Sequence, residues 1–194
     1  MELRSTLTRV MGRLQRFQSS ADIATQVALE SASTTEYRYL RLIQTAATAS
    51  GYIELQRLNF LDSAGAFIVP IMTSNSAPSP VVVSSSEQAF GTSTFEAFDR
   101  STATRCHTDT PSSAEWWEVD LGSGNSARPA AVALSFDSAT ARFITAFDIE
   151  GSDTAAWAGE EEILFSSPTF TTSSFQNNFL RVFVFSFDYS NAIA

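Results

Sequence analysis

The sequence predicts an antiparallel β-sandwich preceded by a short helical segment. Three observations carry that reading. From Tyr37 onward, stretches rich in β-branched and aromatic residues alternate with clusters of Ser, Thr, Gly, Asn, Asp and Pro, the pattern of short strands separated by turns. No long helical pattern stands between those stretches, which argues against a parallel sheet built from β-α-β units. Sixteen phenylalanines in 194 residues supply large apolar side chains for a filled interior.

Taken in order, the first element is helical. Leu3, Leu7, Val10, Leu14 and Phe17 recur in steps of four and three, which puts them on one stripe of a helix with the arginines elsewhere on its surface. Two heptads fall short of the three or four that mark a coiled coil. Ser19 and Ser20 end this helix or cap a second one, with Ile23, Ala24, Val27 and Ala28 as a smaller apolar face. Residues 31–35 form a polar linker, so the chain divides into a docking and oligomerisation segment, 1–35, and a sandwich, 36–194. Strands are expected at 37–45, 52–61, 67–72, 81–84, 115–121, 131–136, 143–150, 162–165 and 179–187. Breakers fall between them at Ser50-Gly51, Ser63-Ala64-Gly65, Ser76-Ala77-Pro78-Ser79-Pro80 and Gly122-Ser123-Gly124-Asn125. In the segment 115–121 a period of two places Trp117, Val119 and Leu121 on one face and Trp116, Glu118 and Asp120 on the other.

Charge narrows the function. The net charge is -9, and the basic face of a nucleic-acid binder is missing from the body of the chain. Arg4, Arg9, Arg13 and Arg16 crowd the first segment, leaving the remainder more acidic still. The single cysteine, Cys106, cannot form an internal disulfide, so the fold does not depend on an oxidising compartment. No apolar run approaches the roughly 20 residues that span a bilayer, and the N-terminus lacks the apolar core of a secretory signal. Neither membrane insertion nor secretion is expected.

Several phrases then fall in a telling order. Ala97-Phe98-Asp99-Arg100-Ser101-Thr102-Ala103-Thr104, Trp116-Trp117-Glu118-Val119-Asp120-Leu121-Gly122 and Ser152-Asp153-Thr154-Ala155-Ala156-Trp157 resemble the loop, strand and turn motifs of galactose-binding-like domains, the discoidin or coagulation-factor C-type jelly rolls. Tyr37-Arg38-Tyr39-Leu40-Arg41-Leu42 and Leu58-Asn59-Phe60-Leu61-Asp62 resemble that family's closing strands, here placed first. This permuted order is similar to domains of tailed-phage fibres and other virion proteins. The resemblance covers about residues 37–188 and is more specific for fold than for ligand, because the fold hosts many functions.

The resemblance also implies a calcium site at Asp99 and Thr104, completed by carbonyls and a glutamate. Here Arg100 stands where the family has Gly, and Arg57 stands near its Glu. Calcium takes several hard, preferably anionic oxygens, so a guanidinium in the site argues against it. The expectation is an ion pair of Asp99 with Arg57 or Arg100 in place of a metal. The alternative is calcium held by Asp99, Thr104 and carbonyls, with both arginines turned outward.

An active site is hard to assemble. The only histidine, His107, follows Cys106, and neighbours on a strand point to opposite faces, so the two do not form a nucleophile–base pair. Cys106 reads as a buried, inert thiol. Glu160, Glu161 and Glu162 read as a solvated run rather than a glycosidase pair. The chain is therefore expected to be a non-enzymatic structural or attachment protein of a virus particle, assembled in the host cytoplasm. It would be homo-oligomeric and held to other virion subunits through residues 1–35. The alternative is a carbohydrate-binding module for cell-surface glycans. Such sites combine an aromatic platform with hydrogen-bonding side chains; the candidates are Trp116, His107, Arg105 and Trp157.

Overall fold

The computed structural model of the chain describes residues 27–30, 35–47, 53–86, 88–108, 115–136, 143–169 and 180–187. Among them run the strands β1 Val27–Glu30, β2 Tyr39–Ala47, β3 Glu54–Leu61, β4 Val82–Ser85, β5 Cys106–His107, β6 Trp116–Asp120, β7 Ala131–Phe136, β8 Ile144–Ser152, β9 Glu162–Ser166 and β10 Arg181–Phe187. They form two sheets of five strands, β1-β10-β7-β3-β5 and β4-β6-β2-β8-β9. Every pairing is antiparallel except β1 on β10, which is parallel. The chain is an all-β sandwich, compatible with the galactose-binding-like architecture.

The alternation of side chains explains the core. On β2, Leu40 and Leu42 point inward; on β6, Trp117 and Val119; on β7, Val132, Leu134 and Phe136. All of them are buried. Phenylalanines close the gap between the layers. Phe147 and Phe165 of the second sheet meet Phe183 of the first, at ring-centroid distances of 5.1 and 6.2 Å, and Phe165 stacks on Phe185 at 4.9 Å. Cys106 sits in this interior, and burial pushes its thiol up to about 11. An inert thiol follows from that.

Close approach of backbone fixes one end. Tyr37 pairs with Ala127 as an isolated bridge, and its ring lies flat against Gly151 of β8. A Cβ on Gly151 would meet the ring at 2.4 Å. The Tyr37 hydroxyl donates to Glu162, which also accepts from Arg128 at 3.0 Å.

Two sequence expectations change. Residues 67–72 are not a strand: only Phe67 bridges to Leu61, because this stretch folds back along the end of β3 and Pro70 cannot donate to a ladder. Val27 and Ala28, expected on a helix, belong to β1, since the edge of β10 offers unpaired backbone groups that a helix would leave unmet. The residues 94–97, which carry no strand pattern, form a 3-10 turn, Thr94–Ala97. The stripe Leu3, Leu7, Val10, Leu14 and Phe17 lies outside the described residues, as do Ile23 and Ala24.

Candidate functional site

The outward face of the second sheet gathers the chemistry. Three strands contribute through their cross-strand register. Arg41 on β2 stands opposite Glu118 on β6 and Glu150 on β8, and Ile43 stands opposite Trp116 and Asp148. Residues paired across strands share a face, so one arginine is flanked by two glutamates. Arg41 Nε and Nη2 both donate to Glu150 Oε2, at 2.9 and 2.5 Å. The two side chains are only 10% and 9% exposed, so this is a largely desolvated pair.

A loop lays an indole over that pair. Trp157 follows β8, and its ring covers the Arg41 guanidinium at 3.9 Å. Its Nε1 donates to Glu118 Oε2 at 2.5 Å. The loop that holds it is strained: Ala155 and Trp157 adopt φ of 58° and 47°, a region that L side chains rarely populate. Glu160 holds the loop in that shape. Its carboxylate accepts from the Ser152 and Thr154 hydroxyls and from the Trp157 and Ala158 backbone N–H groups. Those donors, led by Ser152, keep its carboxyl far below the usual carboxylate range. Thus Glu160, read from the sequence as part of a solvated run, is the bracket of the turn.

Electrostatics on this face are uneven. Glu118 is pushed up, first by desolvation, although Trp157 and Arg41 pull it the other way. Next to it, Arg38 grips Asp120 with two hydrogen bonds of 2.7 Å, and this grip lowers the Asp120 carboxyl.

The four candidate ligand residues do not converge. Trp116 and Trp157 belong to this outward face. His107 lies on the opposite sheet, where β5 pairs with β3, and Arg105 precedes it. His107 Nε2 is 3.5 Å from Glu54 Oε1. Phe90 meets the imidazole edge-on at 5.6 Å. Phe90 is itself unusual, 68% exposed with φ of 57°. A bulky residue held out in the left-handed region is a strained feature, and strain gathers at functional positions. Neither Phe90 nor the Arg41–Glu150 pairing was legible in sequence. The only local signal for Phe90 was an isolated aromatic beside Gly91 in a polar turn.

The Asp99 loop is closed by its own hydrogen bonds. Asp99 Oδ1 accepts from the Ser101 backbone N–H at 2.7 Å and Oδ2 from the Thr104 hydroxyl at 2.6 Å. Among the described residues Asp99 has no ion pair with either arginine, which corrects that expectation. Arg100 turns away, donating to the Val69 carbonyl at 2.7 Å and covering the Phe67 ring at 3.8 Å. It does so with φ of 60°, the conformation that glycine would supply there. Arg57 feels Asp99 through space while burial lowers its own pKa. One carboxylate with both oxygens already bonded locally, beside a cationic neighbour, does not fit an ion that takes roughly six to eight oxygens.

Among the described residues no group of three or more His, Cys, Asp or Glu side chains converges, and no helix is long and apolar enough to cross a membrane. Comparisons with protein-family models, with curated proteins and with solved structures match none of them.

Proposed function

We propose that this chain is a non-enzymatic attachment protein, a sandwich that works by presenting a surface. In the setting implied by its permuted galactose-binding-like motifs, it is a component of a virus particle, a tail fibre or other virion part of a tailed phage, joined to neighbouring subunits through residues 1–35. The observation that carries the binding role is the Arg41–Trp157 stack. A strained loop, pinned by one carboxylate, serves to place one indole on the outside of a sheet. Buried ion pairs add little stability for their desolvation cost, so an arrangement this constrained is well explained by recognition.

A second reading, a carbohydrate-binding module, has its own support. Trp116 and Trp157 share one outward face with Glu118 and Arg41, an aromatic platform beside charged hydrogen-bonding groups. A glycan array probed with the full chain tests it. Binding that disappears in Trp157→Ala and weakens in Trp116→Ala, with the fold intact by circular dichroism, supports sugar recognition. A blank array leaves attachment to protein neighbours. Deleting residues 1–26 tests that role: the sandwich should remain folded while co-assembly with partner subunits is lost. Normal assembly of the truncated chain would remove the docking role.

A further inference from the structure

The two outward faces of the sandwich differ in kind. The second sheet shows charge and aromatics; the β10–β7 side of the first shows small and apolar groups. On β7 the outward residues are Ala131, Ala133 and Ser135, and their register partners on β3 are Leu61, Asn59 and Arg57. An outer face of a two-layer sandwich is ordinarily wet, with polar residues alternating outward. Here Leu61 is 3% exposed, Asn59 6%, Ala131 and Ala133 2% each and Ser135 0%. Val182 and Val184 of β10 pack beside them. Described neighbours supply part of that cover, since Gln56 accepts from Ser135 and donates to the Thr102 carbonyl, and Phe67 bridges to Leu61; the burial of Asn59 beside Ala131 and Ala133 calls for a layer over the rest. β7 is accordingly buried along its whole length.

We infer that this face is the seat of the chain's own amphipathic stripe, Leu3, Leu7, Val10, Leu14 and Phe17, which docks there in the same molecule. Two points on the molecule select that occupant. The chain reaches the right place: β1 starts at Val27, whose register partner is Val184, and Val184 is in turn opposite Ala131, itself opposite Leu61. The chain therefore enters the sheet, at Val27, in the very row that needs cover. Dimensions agree as well. A helix over residues 3–17 is about 22 Å long, close to the roughly 26 Å of the eight-residue β3, and alanines at the centre let a helix approach closely. With the stripe turned inward, the arginines face outward, where neighbouring subunits can meet them. The inference stands apart from the attachment role, which survives if it fails.

Hydrogen exchange on the full chain tests it. Amides of residues 3–17 should exchange slowly and at a rate independent of protein concentration. Placing a charge on the seat, with Ala133→Asp, should abolish that slow exchange while β6 and β8 of the other sheet keep theirs. If Ala133→Asp fails to fold, Val182→Lys, at a partly exposed position of the same face, makes the same test. Leu7→Glu with Leu14→Glu should give the same loss from the other side of the contact. Fast exchange at residues 3–17 in the unaltered chain overturns the inference. So does protection lost on dilution, which would assign the contact to a second copy. Protection that survives a charge on the seat but not one on the stripe overturns it as well, since the stripe would then pack elsewhere.

Discussion

Replacing Arg41 by Met removes the only cation between Glu118 and Glu150 in the register of the second sheet. Both Arg41 hydrogen bonds end on one oxygen, Glu150 Oε2, so Glu150 would be left 9% exposed without its partner. Stranding one member of a buried pair costs about 3–5 kcal/mol. For a domain of this size that is a fall in Tm of roughly 6–20 °C. Removing both members with Arg41→Met and Glu150→Met replaces two charges by apolar groups of similar length, which is often neutral or stabilising. The double variant should therefore recover to within about 1 kcal/mol of the unaltered chain. Urea denaturation of the four proteins, read as a double-mutant cycle, supplies the assay. A single variant costing under about 1 kcal/mol would show that the pair is screened like a surface bridge. A double variant as unstable as the sum of the singles would show no coupling. Either result refutes the view of this face as a desolvated, specifically assembled unit.

Further predictions follow from the same geometry. Gly151→Ala drives a methyl group to 2.4 Å from the Tyr37 ring, and overpacking of this kind costs about 1–3 kcal/mol; a Tm within error of the unaltered chain would show that Tyr37 moves freely. Asp120 is held low first by the Arg38 hydrogen bonds, so its contribution is present above the unfolded carboxylate value of about 4 and disappears as pH falls through the folded one. Arg38→Met should flatten that acid limb in pH-dependent urea titrations. Glu118 has the opposite sign: burial raises it, so the folded state holds its proton longer than the unfolded state and stability declines as pH rises from about 4 to the folded value. Glu118→Gln should abolish that decline, measured the same way, and keep the Trp157 hydrogen bond through the amide oxygen. Phe90→Asn relieves a left-handed strain of about 1–2 kcal/mol at an exposed position; unchanged or increased thermal stability is expected. A clear loss of stability would make Phe90 a packing residue.

What the sequence disclosed was whatever a period of two can disclose. The alternation in 115–121 placed Trp117 inside and Trp116 outside, and the interior is filled with phenylalanine as its abundance implied. Ala131–Phe136 came out with its expected bounds. What it could not disclose depends on partners far apart in the chain. Arg41 and Glu150 are separated by 109 positions, and no local pattern links them. The strand β5 has two residues, too few for any periodicity, and it exists because β3 offers an edge. Val27 and Ala28 fit a helical face as well as a strand, and the open edge of β10 decides for the strand. The loop residues misled in a different way: Asp99 had a charge partner in prospect on either side, but backbone N–H and hydroxyl groups within five residues satisfied it first.

The order of strands has a consequence for how the molecule is made. The second sheet draws on residues 39–166 alone, whereas the first needs β10 at Arg181–Phe187 before β7 has both its neighbours. A chain ending near Ser166 would hold every strand of the second sheet, yet leave Phe147 and Phe165 without Phe183 and Phe185. Apolar surface left uncovered in this way is what makes partly folded β proteins clump.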